Sequence, residues 1–386
     1  MSEFRTIREL CSVVVDCPHS TPKWTANGKI VIRNKNIKHG KIDFSSPSYT
    51  DDEHFAQRIK RAKPQPGDII ITREAPIGDV GMIPENTECC LGQRMVLLRA
   101  NQSVCDNFYL LYSLQSLYVQ HQISWSEGTG TTVSNLRIPH LEQIQIPYLP
   151  LEQQAKISSV LRALEEKIEN NRRLNDNLQQ QAAALFSSLY DRTNTEVRFT
   201  DLIQILGGGT PKTGENTYWN GNIAFFTPKD VGTPYTLITE KTITEEGLSH
   251  CNSRLYPVNT VFVTARGTVG KVGMSGVPMA MNQSCYALVG KETHQLLVYF
   301  YTLKAVDRLK HKASGAVFDA ITTRDFESEQ IMKLSDDDAK AFLCIAEPMF
   351  QKVLNNCIEN LRLSTLRDSL LPKLMSGEID VTSVHL

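Results

Sequence analysis

The stretch ITREAPIGDVGM, residues 71–82, is repeated in outline by VTARGTVGKVGM, residues 263–274. Each stretch has a threonine near its start and ends in Val-Gly-Met after an earlier glycine, with the same spacing between these residues. The two stretches lie about half of the 386-residue chain apart. Similarity over that distance indicates two copies of one structural unit, and an internal duplication constrains the fold more strongly than local propensity does.

The similarity continues on both sides of this motif. Downstream, ECCLGQRMVLLRA (88–100) corresponds to MAMNQSCYALVG (279–290), and both predict a strand after a glutamine. Further on, NFYLLYSLQSLYVQHQI (107–123) corresponds to QLLVYFYTLKAVDRLKH (295–311), and both have the apolar spacing of helices. Upstream, HSTPKW (19–24) corresponds to GGTPKT (208–213). The sequence therefore predicts two homologous domains that mix strands with short helices.

A long amphipathic helix follows each copy. Apolar residues recur on a seven-residue pattern, which predicts a seam that a second helix must cover. In the first helix these positions are Ile157, Val160, Leu161, Leu164, Ile168, Leu178, Ala182, Leu185 and Leu189. In the second the equivalent positions are Phe342, Ile345, Ala346, Met349, Val353, Leu363, Arg367, Leu370 and Leu374. Arg367 is the one poor match, and its stem can lie along the seam while its charged end reaches water. The alternative is two independent amphipathic helices, each lying on its own domain.

Asparagines in the middle of both seams favour the paired arrangement. Asn171 and Asn175 in the first helix match Asn356 and Asn360 in the second. Asparagine in an apolar seam lowers stability, and its known compensation is to fix register and partner. An antiparallel pair places Asn171 beside Asn360 and Asn175 beside Asn356, so we predict that these four residues register the helices.

Composition excludes several classes of protein. The chain is 41% hydrophobic and 22% charged, and its nine cysteines form no C-x-x-C pair. It has no apolar run long enough to span a membrane and no apolar signal core at its start. We therefore expect a cytoplasmic protein with reduced thiols and no membrane contact. The net charge of −1 is not that of a typical nucleic-acid-binding domain, although residues 23–63 are rich in Lys and Arg.

Motifs of catalysis are missing from the sequence. RGTVGKV has the wrong glycine spacing for a phosphate-binding loop, and the chain has no H-E-x-x-H and no metal-spaced Cys/His cluster. Because no two prolines are adjacent, the Asp/Asn-Pro-Pro-aromatic loop of amino-methylating DNA methyltransferases is excluded. The sequence predicts no catalytic residue and no metal site.

Three segments resemble one known family, the specificity subunits of type I DNA restriction–modification systems. They are IPYLPLEQQAKISSVL (146–161), LRDSLLPKLMSGEIDV (366–381) and GGGTPKTGENTYWNGNIAFFTPKDV (207–231). The resemblance covers essentially the whole chain. The first copy departs from it, because CPHSTPKWTANGKIVIRNKNI (17–37) lacks the triple glycine and the Tyr-Trp pair.

The resemblance implies an α+β architecture: two homologous mixed α/β target-recognition domains separated by two long antiparallel coiled-coil helices, with a pseudo-two-fold internal repeat. We assign recognition domains to residues 1–149 and 191–334, spacer helices to 150–190 and 335–378, and a tail to 379–386. Each recognition domain would read one half of a split, asymmetric double-stranded DNA sequence. The chain itself would need no cofactor.

The same resemblance implies protein partners. Two modification subunits would bind S-adenosylmethionine and methylate adenine N6, and restriction subunits would use ATP and Mg²⁺. Two other hypotheses remain open. One is a stand-alone bipartite DNA-binding or scaffold protein without modification partners, and the other is an enzyme of unrecognised type.

Polar residues near predicted loops are the candidates for DNA contacts, because base edges are read by such side chains in the grooves. In the first domain the candidates are Lys23, Lys35, Asn36, Arg73, Glu74, Arg94 and Thr131. In the second domain they are Lys212, Tyr218, Lys229, Arg266 and Gln283. Gln93 and Gln283 recur in both copies, which points to the fold as much as to readout. Positions that differ, such as Arg73 against Ala265 and Glu74 against Arg266, are better candidates for specificity.

Overall fold

The computed structural model describes residues 3–38, 40–125, 135–232, 234–312 and 320–381. The chain divides into two compact units. The first unit comprises Met1–Glu166 together with Leu363–Leu386, and the second comprises Lys167–Arg362. Both long helices continue through this division, so each unit contains one globular copy and part of each helix.

The first copy, which precedes the first long helix, mixes short strands with short helices. Its strands are β1 Glu3–Thr6, β2 Cys11–Asp16, β3 Trp24–Thr25, β4 Lys29–Ile32, β5 Ile37–Lys38, β6 Lys41–Ile42, β7 Ser48–Thr50, β8 Ile69–Thr72, β9 Val80–Met82, β10 Cys89–Leu91, β11 Met95–Ala100 and β12 Gln145–Tyr148. The helices are α1 Ile7–Leu10, α2 Asp52–Arg58, α3 Asn107–Gln115, α4 Leu117–Trp125, α5 Ile138–Gln143 and the long α6 Leu151–Tyr190. A 3-10 turn covers Asn34–Asn36.

The second copy lies between the two long helices. Its strands are β13 Glu196–Arg198, β14 Ile203–Gly207, β15 Trp219–Phe226, β16 Tyr235–Thr236, β17 Lys241–Ile243, β18 Val261–Thr264, β19 Val272–Ser275, β20 Met279–Met281, β21 Cys285–Gly290 and β22 Gln330–Met332. The helices are α7 Phe199–Leu202, α8 Glu245–Ser249, α9 Gln295–Lys312, α10 Thr323–Ser328 and the long α11 Asp336–Met375. A 3-10 turn covers Asn216–Tyr218.

Sheet topology confirms the duplication. The antiparallel order β2-β11-β8-β9 in the first copy corresponds to β14-β21-β18-β19 in the second, where β16 is added at the edge. A parallel pair joins β4 to β10 in the first copy and β15 to β20 in the second. The strand pairs β1-β12 and β13-β22 are also equivalent, and each ends just before a long helix. The fold class predicted from the repeat is therefore correct.

The repeated motif forms the same hairpin in both copies. In the first, the Thr72 carbonyl accepts from the Gly78 backbone N–H at 2.9 Å, and in the second the Thr264 carbonyl accepts from Gly270 at 2.8 Å. The Thr72 hydroxyl also accepts from the Asp79 backbone N–H at 3.0 Å, and the Thr264 hydroxyl accepts from the Lys271 backbone N–H at 2.9 Å. Gly78 and Gly270 have φ values of 83° and 73°, which favour glycine because it has no Cβ. The recurring Thr and Gly thus encode this turn.

The long helices run antiparallel. In the second unit, Asn356 Nδ2 donates to Asn175 Oδ1 at 2.7 Å, and Asn171 Nδ2 donates to Asn360 Oδ1 at 2.9 Å. In the first unit, the start of α6 shares a core with the end of α11, through residues that include Leu161 and Leu374. The two Asn pairings are those expected from the sequence, whereas their role in fixing register stays a prediction.

The seam of the helix pair departs from the predicted pattern in the second long helix. Ile345, expected in the seam, is 49% exposed, and Phe350 is buried instead. Phe350 lies 5.5 Å from the Phe300 ring of α9, and Phe300 also stacks on Phe186 of α6 at 5.0 Å between ring centroids. The helices therefore pack on the second copy as well as on each other, and this aromatic cluster draws Phe350 inward.

The helix after the last strand of the central sheet differs between the copies. In the first copy it breaks at Ser116, whose backbone is extended (φ −65°, ψ 146°) between α3 and α4. The Ser116 hydroxyl accepts from the Val119 backbone N–H at 3.4 Å, as a helix N-cap does. In the aligned sequences the corresponding residue is Lys304, a good helix former, within the unbroken α9.

None of the helices in the described ranges combines the length and apolar character needed to cross a membrane.

Candidate nucleic-acid interface

A polar cleft of about 410 Å³ opens on the first copy. It lies where β4, β8 and β10 end and where the loop before β3 approaches them. We call it the Arg94 cleft; its lining residues are Thr21, Pro22, Trp24, Arg33, Asn34, Lys35, Ala75, Gly92, Gln93 and Arg94. Two of the residues predicted to contact DNA, Lys35 and Arg94, line this cleft. Arg33 adds a third cation, so the cleft suits an anionic or hydrogen-bond-accepting partner.

Gln93 holds the wall of the cleft together. Its amide donates to the His19 carbonyl and to the Thr21 hydroxyl, the latter at 3.2 Å. In the second copy the equivalent residues are also in contact, with the roles reversed, because the Thr210 hydroxyl donates to the Gln283 amide oxygen. The repeated Thr-Pro-Lys loops are thus fixed by the repeated glutamines. Gln283 occupies a framework position, and its prediction as a DNA contact remains untested.

Trp24 and Arg33 were missed as candidates in the sequence. The Arg33 guanidinium carbon lies 4.9 Å from the Trp24 ring centroid, and Trp24 is 44% exposed. A cation over an exposed indole is a surface on which a base or sugar can stack. The available signal was an aromatic residue inside the basic segment 23–63.

Glu74 and Arg94 form an ion pair at the edge of the cleft. Arg94 Nε lies 3.1 Å from a Glu74 carboxylate oxygen, and the side chains are 56% and 22% exposed, respectively. The other carboxylate oxygen of Glu74 accepts from Asn135 Nδ2 at 2.9 Å. The two predicted residues are therefore adjacent, with Glu74 the more deeply anchored of the two.

Arg73 is placed differently from the expectation. It is buried, and its guanidinium donates to the Leu136 carbonyl, to Asp16 and to the Asn135 side chain at 2.8, 2.8 and 3.2 Å. This is the arrangement of a residue that ties separate segments together. A DNA contact by Arg73 stays a prediction that this geometry does not favour.

Asn36 is likewise buried. Its amide oxygen accepts from the Arg33 backbone N–H at 3.0 Å, and its amide nitrogen donates to the Asp43 carbonyl at 2.9 Å. Asn36 therefore closes the turn that presents Arg33 and Lys35, which is a positioning role in the described geometry.

The remaining candidates of the first copy are lysines at its surface, together with one threonine. Lys23 lies 3.6 Å from an Asp51 carboxylate oxygen, and Lys35 Nζ lies 3.2 Å from the Ser46 hydroxyl. Both lysines are exposed and can exchange these weak contacts for phosphate oxygens. Thr131 lies outside the described residues.

In the second copy, the candidates other than Gln283 lie on or near the loops equivalent to those around the Arg94 cleft. The Lys212 carbonyl accepts from the Trp219 indole N–H at 3.1 Å, and the Tyr218 ring stacks on His250 at 4.9 Å. Lys229 is exposed and lies 3.6 Å from Glu240. Arg266 is exposed beside Ser284, whose carbonyl accepts from its backbone N–H at 3.3 Å.

A family model matches most of the chain. The model for the type I restriction modification DNA specificity domain matches residues 3–180 and again residues 192–333. The chain belongs to this family. The two matches begin near the start of each copy, so the family similarity follows the duplication.

Relatives named as specificity subunits share this similarity over most of their length. The type I restriction enzyme MjaIX specificity subunit of Methanocaldococcus jannaschii is 23% identical over 342 residues, which cover 82% of this chain and 78% of that protein. A second protein of the same organism, named "Putative type I restriction enzyme MjaX specificity subunit", is 21% identical, and the alignment covers 98% of this chain and 94% of that protein.

A solved structure has the same fold. The type I restriction–modification S subunit from M. genitalium superposes with a TM-score of 0.59 at 18% identity, covering 96% of this chain and 95% of that one. Proteins of this specificity family are recognition components of restriction–modification systems, and the present chain is a non-catalytic member.

Six of the nine cysteines of this specificity protein are buried. All nine are free thiols, and burial raises the pKa of Cys89 to about 12 and that of Cys90 to about 11. Both lie in β10, inside the first copy. Across the five described ranges, no group of three or more His, Cys, Asp or Glu side chains is arranged to hold a metal ion.

Proposed function

We propose that this chain is the DNA-recognition subunit of a type I restriction–modification complex and reads a bipartite, asymmetric site, one half with each copy. One observation carries the proposal: the copies share a framework but present different side chains on it. Gln93 and Gln283 hold equivalent loops, whereas Glu74 and Arg94 are replaced by Arg266 and Ser284. A common framework with different polar ends suits two different DNA half-sites.

The proposed partners follow from family membership and from the repeat. Two copies of one unit offer two equivalent surfaces, which suits two modification subunits bound along the helix pair. Those subunits would bind S-adenosylmethionine and methylate adenine N6, and restriction subunits would use ATP and Mg²⁺. The chain supplies DNA recognition and takes no cofactor of its own.

Mapping of N6-methyladenine tests this function directly. A host that expresses the chain together with its modification subunits should carry methylated adenines in one interrupted, asymmetric motif. Replacing residues 1–149 by the corresponding domain of a relative should change one half of that motif. A continuous motif, or a chimera that changes both halves, contradicts separate readout by the two copies.

The stand-alone alternative makes a different prediction. A scaffold without modification partners should purify alone from its native host, while the proposed subunit should copurify with methyltransferase chains. The purified chain with S-adenosylmethionine serves as a further control. Methylation by the chain alone would identify it as an enzyme and contradict the proposal.

A further inference from the structure

The ends of two neighbouring strands occupy equivalent places in both copies. Thr72 pairs with Met95 in the first copy as Thr264 pairs with Cys285 in the second. The backbone hydrogen bond one residue further along is also the same. The Arg73 N–H donates to the Arg94 carbonyl at 2.8 Å, and the Ala265 N–H donates to the Ser284 carbonyl at 2.8 Å. Residues at these ends can therefore be compared one by one.

At these equivalent positions the two copies carry different side chains. The first copy has Glu74 on one strand end and Arg94 on the other, while the second has Arg266 and Ser284. Only the first copy thus places a carboxylate and a guanidinium side by side on this pair of strand ends. A difference at fixed backbone positions is what two readers of different sequences require.

Glu74 is fixed on two sides. Its carboxylate accepts from Asn135 at 2.9 Å, and its backbone carbonyl accepts from Asn34 Nδ2 at 2.7 Å. Through its other carboxylate oxygen it lies 3.1 Å from Nε of Arg94. Arg94 has a φ of 65°, in the left-handed region that non-glycine residues rarely adopt. Both the backbone and the inner nitrogen of Arg94 are therefore held in place.

The outer edge of Arg94 is available for a ligand. Its side chain is 56% exposed and lines the Arg94 cleft, and the ion pair with Glu74 is made by Nε rather than by the two terminal nitrogens. Two parallel N–H donors match the O6 and N7 acceptors of guanine in the major groove. A phosphate would also accept from them, but the neighbouring Glu74 carboxylate repels an anion and leaves a neutral base edge favoured.

We propose that Arg94 reads a guanine in the half-site of the first copy and that Glu74 is the positioning residue that fixes its guanidinium. The assignment rests on the proposed function and deepens it, because it names one base and two residues with different roles. Arg94 contacts the base, whereas Glu74 acts only through Arg94. The half-site of the second copy does not depend on either residue.

The test is base selection by the full chain assembled with its modification subunits, using duplex DNA with randomised half-sites. The wild-type complex should select a motif that contains a guanine whose replacement weakens binding. Arg94→Ala should reduce discrimination at that one position by about tenfold or more and leave the other half-site unchanged. Arg8→Ala is the matched control, because Arg8 forms an exposed ion pair with Glu142 at 3.4 Å and does not line the cleft.

Glu74→Gln separates positioning from folding. Glutamine retains an oxygen that can accept from Asn135 but loses the charge that faces Arg94. Discrimination should therefore fall at the same base position, while the melting temperature should fall no further than in the control variant Glu142→Gln. Glu74→Asp, which restores the charge, should recover part of the discrimination. An effect of Glu74→Gln that is equal at every position overturns the positioning role.

Two further outcomes distinguish this inference from the proposed function. If Arg94→Ala weakens all duplexes equally and lowers the salt dependence of binding, Arg94 is a phosphate contact and the inference is wrong. The same holds if no guanine in the selected motif responds to Arg94→Ala. A wild-type complex that selects no sequence overturns the proposed function, and the inference with it.

Discussion

The two copies agree in their framework and disagree at their polar ends. Thr72 and Thr264 close the same hairpin, and Gln93 and Gln283 hold the same Thr-Pro-Lys loop. In contrast, Trp24 of the first copy corresponds to Thr213 of the second by the alignment of these loops. The comparison teaches that identity between the repeats marks the shared framework, whereas the polar positions that differ are those on which the proposed readout depends.

A second difference concerns how each copy ties its helices to its last strand. In the first copy, the Gln122 amide of α4 bonds to both backbone groups of Gln145, each at 2.9 Å. In the second, Glu329 is fully buried just before β22 and forms ion pairs with Arg308 and Lys312 of α9. One copy uses neutral hydrogen bonds at this joint, and the other uses buried charge.

The largest expected effect comes from removing both cations from that charged joint. Arg308→Met/Lys312→Met removes both cations that pair with the Glu329 carboxylate, which is 0% exposed in the wild-type protein. We expect the free energy of unfolding to fall by about 3 kcal/mol, because a buried charge without its partner is strongly unfavourable. Denaturant titration measures this loss of unfolding free energy. The control Gln122→Met should cost roughly 1–2 kcal/mol through lost hydrogen bonds, and equal losses would contradict the comparison.

The Asn pairs of the long helices provide the next test. Asn175→Leu leaves Asn356, which is fully buried, without its side-chain partner and should lower the free energy of unfolding by about 1–3 kcal/mol. Asn175→Leu/Asn356→Leu should recover that loss, since both polar groups are gone. Asn171→Leu should cost less, because Glu359, its second partner, is 42% exposed. A double variant less stable than Asn175→Leu would show that the pair is net stabilising.

A smaller effect, on DNA binding, is expected when Trp24 is replaced by threonine, the residue found at the equivalent position 213 of the second copy. Trp24→Thr removes the indole beneath Arg33 and should weaken binding by about fivefold, the size of a moderately exposed cation–π contact. Trp125→Thr is the matched control, because Trp125 is 76% exposed and lies outside the Arg94 cleft. Titration with the selected duplex measures both, and unchanged affinity for Trp24→Thr would remove the tryptophan from the interface.

The smallest effect concerns acid stability of the first copy. Lys29 and Lys63 hold the pKa of the Glu88 carboxyl at about 2, below its ordinary value of 4.5. A lowered pKa stabilises the folded state above pH 4.5, and that contribution is lost as the pH falls towards 2. Glu88→Gln should therefore lower the melting temperature slightly at neutral pH, with a difference that shrinks in acid and in high salt. A difference that grows in acid would contradict this sign.

The duplication and its hairpin were predictable because their signals are local. Thr72 and Gly78 lie six positions apart in a turn that demands both residue types, and the glutamines recur at fixed offsets. The helix seam was also predictable from its periodicity. Phe350 was missed because its burial depends on rings contributed by α6 and α9, which a one-helix pattern does not contain.

The polar cleft was only partly predictable because its partners are distant in sequence. Arg73 has the same appearance in sequence whether it faces solvent or a buried network, and its acceptors lie 57 to 63 positions away. Arg94 was a candidate as a polar residue near a predicted loop, but its contact with Glu74 requires two strand ends to meet. Repeats thus reveal which positions vary, and the structure is needed to show which side chains those positions bring together.

The division of the chain has a consequence for biosynthesis. Residues 167–362 form the second unit as one continuous segment, whereas the first unit needs residues 363–381 as well as the residues before 167. Leu374 and Met375 enter the core that contains Ile157 and Leu161. During translation, the part of the first unit that precedes residue 167 leaves that apolar surface uncovered until the whole second unit has been synthesised. The copy that is synthesised first is therefore the one whose folding is completed later.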